Sequence, residues 1–286
     1  MKIDFKDAKY QVPSGPGPVD LTEYETQLVG GADGIDTTDY KTKDTVYVAG
    51  ISGDNYADLE PANYEGIGTK ARIASGQGDD TLYLDGYRDF TMIGGAGDDY
   101  LETYSGTNGH VDAGEGDDEV YSAAKQVKLG DGHDYFDANY GGNQGVNAWG
   151  EGGNDKLNGY DADDLLMGGD GKDKIKGYGG NDTINGGVGN DKITCGGGDD
   201  YVKPGRGNDK IKLGDGKDTL DLSRGKDKVK DFKVKDDSVV IDEDAFGQKL
   251  EFVDKKKGCY ITDGDDVKTF FKGVSSDLLA TVVDLT

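Results

Sequence analysis

The sequence predicts an all-β chain, a parallel β-helix solenoid closed by N- and C-terminal caps. Three observations predict it. From Gly150 to Lys230 the chain divides without insertion into nine nonapeptides, beginning at Gly150, Gly159, Gly168, Gly177, Gly186, Cys195, Pro204, Leu213 and Leu222. The sixth residue of each is Asp and the eighth is aliphatic. Glycine makes up 49 of 286 residues, without the three-residue period of collagen. A fixed period of this kind dictates architecture before any local signal is weighed.

Within each repeat, six residues make a turn and three make a short strand. Position 4 is Gly in eight of the nine repeats, which suits backbone angles open only to glycine. Position 5 is mostly Asn, Asp or Lys, and Asn and Asp tolerate left-handed turns best. Position 8 points inward while positions 7 and 9 point out, as the two-residue alternation of a strand requires. One such strand cannot stand alone. Stacked strands hydrogen-bond above and below and pool their aliphatic residues in a thin core.

If two nonapeptides make one turn of the coil, residues 18 apart lie above each other. Asp155, Asp173, Asp191, Asp209 and Asp227 then form one column, and Asp164, Asp182, Asp200 and Asp218 form another on the opposite edge. Upstream, SGQGDDTLY, GGAGDDYLE, AGEGDDEVY and LGDGHDYFD place Asp80, Asp99, Asp118 and Asp134 at intervals of 19, 19 and 16, then 21 to Asp155. These four extend the first column. Between them 90–93, Val111, Val127 and Val146 read as strands without the motif, so the second edge bears it only in the C-terminal half.

Carboxylates about 5 Å apart, one strand spacing, repel unless a cation lies between them. Carboxylate and carbonyl oxygens in flexible loops suit Ca²⁺, a hard ion taking 6–8 oxygens. The candidate carbonyl sites are the turn glycines Gly76, Gly78, Gly95, Gly97, Gly114, Gly116, Gly169, Gly171, Gly187, Gly189, Gly196, Gly198, Gly205, Gly207, Gly214 and Gly216. Eight gaps on the long column and three on the short one predict up to about eleven Ca²⁺ ions. Position 2 departs from Gly at Glu151, Tyr160, Tyr178 and Ser223, and position 4 at Ala162.

The motif G-G-x-G-x-D-x-(aliphatic)-x, as in GGDGKDKIK and GGVGNDKIT, resembles the RTX (repeats-in-toxin) family of calcium-binding repeats. The resemblance implies a right-handed parallel β-roll, export by a type I ABC-transporter system, and folding driven by calcium outside the cell. It also implies an uncleaved C-terminal secretion signal, which the apolar and acidic segment 277–286 resembles. A last cap strand is the other reading of that segment.

Four segments follow: 1–42 an N-terminal cap, 43–149 an irregular roll with motifs on one edge, 150–230 a regular roll with motifs on both, and 231–286 a C-terminal β cap. Residues 30–36 are a degenerate echo of the repeat, and 43–48 read as the first strand. In the C-terminal cap 231–234, 239–241, 250–253, 259–261 and 268–271 read as strands separated by turn dipeptides. No stretch is long and apolar enough for a signal peptide's core or a membrane span.

A net charge of −25, from 57 acidic and 32 basic residues, argues against nucleic acid as a partner. Cys195 and Cys259 make no disulfide framework and read as unpaired thiols. The only histidines are His110 and His133, with no H-E-x-x-H and no G-x-S-x-G, so no catalytic residues and no enzyme are expected. Outward positions near the long column carry Tyr83, Tyr100, Tyr121 and Tyr135, then Lys174, Lys176, Lys192, Lys210, Lys212, Lys228 and Lys230. They read as a solvated face or as a contact surface for glycans or other cell-surface components. The expectation is a secreted, extracellular or surface-bound calcium-binding protein with a structural or adhesive role. A polysaccharide-active enzyme, a secretion and folding module, and a virion or surface-layer component are the alternatives.

Overall fold

The computed structural model describes residues 26–29, 41–42, 45–49, 53–54, 56–61, 68–104, 108–138, 144–222, 224–241, 251–262 and 268–285. Those residues are nearly all strand, with a single four-residue helix, Ser276–Leu279, among them. Contacts group the chain into two compact units, Met1–Gln144 and Gly145–Thr286.

In the first unit the strands alternate between two parallel sheets, as a solenoid requires. One sheet stacks Thr26–Val29, Thr45–Ala49, Gly68–Gln77, Tyr87–Ala96, Asn108–Glu115 and Gln126–Gly132. The other stacks Lys41–Thr42, Tyr56–Pro61, Thr81–Leu84, Tyr100–Thr103, Glu119–Ser122 and Tyr135–Asp137. Among the described residues parallel pairing begins at Thr26, upstream of the strand expected at 43–48, which is observed as Thr45–Ala49. The echo at 30–36 lies outside the described residues. Tyr100 stands opposite Glu119 and Glu119 opposite Tyr135, so the uneven intervals of 19 and 16 still give one register. The edge without motifs absorbs the difference, where Ala123 and Ala124 are buried.

The second unit repeats the arrangement with strict spacing. One sheet runs Asn147–Gly153, Leu165–Gly171, Thr183–Gly189, Tyr201–Lys203, Thr219–Asp221, Ser238–Ile241 and Val283–Leu285. The other runs Lys156–Asp161, Lys174–Gly179, Lys192–Gly197, Lys210–Asp215, Lys228–Val229 and Lys268–Lys272, ending in antiparallel Gly258–Thr262 and Glu251–Lys255. Within the nonapeptides partners are 18 residues apart: Ile175 stands opposite Ile193, and Ile193 opposite Ile211. The antiparallel strands replace what would be an open parallel edge, the usual way to blunt further pairing.

The cap departs from expectation in one place. Residues 231–234 form no strand; instead buried Phe232 packs edge-on against Phe271, ring centroids 5.1 Å apart, and anchors the turn. The segment 277–286 includes part of the short helix and a final cap strand, Val283–Leu285, parallel to Ser238–Ile241.

The core is narrow. Position 8 fills its centre, with Leu82, Leu101, Val120 and Phe136 fully buried in the first unit and Leu157, Ile175, Ile193 and Ile211 in the second. A second position faces inward beside it. Position 1 is buried too, occupied by Ser75, Ala113, Leu129, Cys195, Pro204, Leu213 and Leu222 where it is not glycine. Cys195 and Cys259 are free thiols, as expected, and both are buried.

Candidate metal centre

The position-6 aspartates are held where each turn ends and the strand begins. Every one, from Asp80 to Asp227, is at most 3 % exposed. Stacking places each carboxylate over the backbone amide of the aspartate one turn earlier. Oδ1 of Asp99, Asp118 and Asp134 accepts from the amides of Asp80, Asp99 and Asp118 at 2.8–2.9 Å. On the long column of the second unit, Oδ1 of Asp173, Asp191, Asp209 and Asp227 accepts from Asp155, Asp173, Asp191 and Asp209. On its short column Asp164 takes the Val146 amide, and Asp182, Asp200 and Asp218 continue upward. The sequence-predicted residues thus form one continuous ladder on each motif-bearing edge within a unit.

Only one oxygen of each carboxylate is used in this way. Oδ2 of Asp99, Asp118, Asp164, Asp173, Asp182, Asp191, Asp200, Asp209 and Asp218 is buried and accepts no hydrogen bond. An ionised carboxylate in that setting is expensive unless something cationic meets it. Burial pushes the Asp99, Asp118, Asp164, Asp173 and Asp200 carboxyls up to about 7, and Asp182 to about 8. Like charge adds to it, as Asp155 and Asp191 do at Asp173, while the ladder bond from the amide works the other way. Near neutrality each carboxyl must therefore keep a proton or share a cation.

The surroundings fit a hard cation. A Cβ on Gly168 would collide with Asp173 Oδ2 and the Gly186 carbonyl oxygen, and one on Gly94 with Asp99 Oδ2 and the Ala113 carbonyl. The space beside Oδ2 is thus bounded by a carbonyl of the next turn. Among the described residues no three His, Cys, Asp or Glu side chains converge on one point, so backbone oxygens would complete any coordination shell. An all-oxygen set suits Ca²⁺ and not the N/S preference of zinc.

The turn glycines named from sequence all take positive φ, from 99° at Gly205 to 154° at Gly189. The position-2 departures obey the same geometry at a cost: Glu151, Tyr160 and Tyr178 sit at φ 70°, 83° and 77°. Position 5 needs correction. Its Asn and Asp residues do not take left-handed angles; instead their side chains accept the position-5 amide of the following turn. Asp79 receives Asp98, Asn154 receives Lys172 and Asn190 receives Asn208, at 2.9 Å each. This second ladder runs opposite in sense to the first.

Both columns of the second unit end on carboxylates whose second oxygen is bonded. Asp227 Oδ2 accepts from Thr269 Oγ1 at 3.3 Å. Asp237, which the nonapeptide period could not find, extends the short column: Oδ1 takes the Asp218 amide and Oδ2 the Lys233 amide. Its distance of 19 residues from Asp218 was the one available signal.

Comparison with protein families agrees with this geometry. The family model for the RTX calcium-binding nonapeptide repeat (4 copies) matches residues 140–175, 158–193, 167–202, 176–211 and 196–229. Residues 140–229 are RTX calcium-binding nonapeptide repeats. No curated protein matches the chain. The RTX matches begin at residue 140, yet Asp99 and Asp118 upstream have the same ladder bonds and the same buried second oxygen as the RTX aspartates.

Outside the RTX columns the predicted face residues sort as expected, with one addition. Tyr56 precedes Tyr83, Tyr100, Tyr121 and Tyr135 in a zigzag of ring centroids 5.5–5.8 Å apart. Tyr100 donates to Glu102 Oε2 at 2.7 Å and Tyr135 to Asp137 Oδ2 at 2.8 Å. In the second unit Lys156, Lys174, Lys192, Lys210 and Lys228 share one register column.

Proposed function

We propose that this is a secreted β-roll protein that folds when Ca²⁺ enters its aspartate columns outside the cell, and that serves there as a structural or adhesive element without catalytic activity. The observation that carries it is the row of buried Oδ2 atoms with no hydrogen-bond partner. When bound, the ions would neutralise these oxygens and tie successive turns together. The chain's own residues do the rest: Oδ1 fixes each carboxylate through the ladder, and the glycine turns let carbonyls approach. Extracellular modules of this ion type bind at about 10⁻⁴–10⁻³ M, so folding would be set by the calcium step across the cell envelope. Export by an ABC-type system is consistent with the RTX repeats and would deliver the chain unfolded.

The test is circular dichroism of the whole chain. Strand signal should fall sharply in excess chelator and return with millimolar calcium but not with equal magnesium. A metal-free chain that keeps its full strand signal at neutral pH would refute the reading.

A further inference from the structure

In the second unit one sheet face carries Lys156, Lys174, Lys192, Lys210 and Lys228 in a single register column, one per turn. Parallel strands lie about 4.8 Å apart, so five ammonium groups stand in a comb roughly 19 Å long. Like charges directly opposite on neighbouring strands destabilise a sheet. Lys174, Lys192, Lys210 and Lys228 are exposed and make no ion pair within 4.0 Å among the described residues. Lys212 and Lys230 add charge beside the column. The adjoining rim is mixed at one end, with Glu151, Asp170 and Lys172 exposed, and basic at the other, with Arg206, Arg224 and Lys226 exposed. In a chain of net charge −25 this segregation is costly unless an anion meets it.

We infer that this lysine comb holds a single chain of an anionic polysaccharide, laid along the stack with its charges over successive turns. The shape of the charge decides the class. The comb is straight and repeats at one fixed interval, which matches a linear polymer with regularly spaced acid groups. Binding single-stranded nucleic acid calls for a run of aromatic platforms that stack successive bases. Here positions 7 and 9 carry none, and the aromatics at the strand ends, Tyr160 and Tyr178, stack on each other at 4.9 Å and do not continue along the comb. On the far side of the strands the rim turns acidic, with Asp161, Asp163, Asp199 and Asp215 exposed. A thin chain avoids that rim, whereas a bilayer or a duplex would meet it. The inference deepens the adhesive reading above and rests on it, since only the folded, calcium-loaded roll brings the lysines into register.

The experiment uses the full chain in saturating calcium, with heparin as the polyanion and binding measured calorimetrically at two salt concentrations. K174E/K192E/K210E removes the comb, and K203E/K217E/K235E makes the same charge change elsewhere. Circular dichroism with and without chelator reports separately whether each variant still folds on calcium. The inference expects salt-sensitive heparin binding that falls about tenfold or more in the comb variant and little in the control. Three results would each overturn it: no heparin binding by the folded wild type, equal losses in both variants, or tighter binding of poly(dT) or anionic vesicles than of heparin. Lost calcium response in the wild type would instead sink the folding reading.

Discussion

The two units build the same solenoid by different means. In the second, both edges carry aspartate columns, the period is a strict 18, and most position-8 residues are medium-sized aliphatics such as Ile175, Ile193 and Ile211. In the first, only one edge carries the column. The other is built from buried Tyr87 and Phe90 on strands of up to ten residues, and the interval between paired residues runs from 16, Glu119 to Tyr135, to 25, Thr45 to Lys70. Where apolar bulk closes the turn, spacing is free to drift. Where carboxylates close both edges, each Oδ1 falls over an amide one turn away, and the spacing holds at 18 until the cap, where Asp237 stands 19 residues from Asp218. Metal dependence should therefore be concentrated in the second unit.

The largest expected effect follows from that contrast. With chelator at neutral pH, protection from hydrogen exchange should collapse over Lys156–Asp161 through Lys210–Asp215 and persist longest around Tyr87–Ala96. Equal loss in both units would break the comparison.

Protons should substitute partly for the metal. The buried aspartates are raised from an ordinary 3.8 to about 7, and to about 8 at Asp182. Between those values the folded chain holds more protons than the unfolded one, so the metal-free fold weakens as pH rises and strengthens as pH falls. In chelator, strand signal absent at about pH 8 should partly return at about pH 5. A pH-independent signal would contradict the assignment of charge to these columns.

How much of this was legible beforehand depended on periodicity. The register, the aspartate columns and the position-8 core follow from a nine-residue repeat read along Gly150–Lys230. Position 1 was missed because five glycines in a row, Gly150 to Gly186, show no side chain to reveal that it faces inward. Position 5 was misjudged because Asn and Asp serve left-handed turns and side-chain acceptors equally well, and only the stacked amide of the next turn distinguishes them. Asp237 and Thr269 lie past the last repeat, where ladder ends are fixed by the cap and not by the period.

Single-site changes sharpen the comparison on a smaller scale. Asp191→Asn keeps an acceptor for the Asp173 amide but removes the charge. It should raise the calcium midpoint and forfeit about 1.4 kcal/mol at millimolar calcium, one site's linkage. Asp99→Asn in the first unit should cost less of the global signal. A titration in which both variants match wild type would show that neither oxygen meets an ion.

The smallest effect concerns strain. Tyr160 and Tyr178 hold positive φ and stack at 4.9 Å with rings 17° apart. Replacing both with Gly relieves about 1–2 kcal/mol each and loses about 0.5–1.5 kcal/mol of stacking. The melting midpoint in calcium should rise by a few degrees at most, and a clear drop would mean that the tyrosines hold the turn together.

Anomalous diffraction from calcium-grown crystals tests the central claim most directly. A peak is predicted beside the second carboxylate oxygen of Asp99, Asp118, Asp173, Asp182, Asp191 and Asp200, shared with carbonyls of adjoining turns. Ordered columns with water or bare carboxylic acids at those oxygens, in saturating calcium, would contradict it.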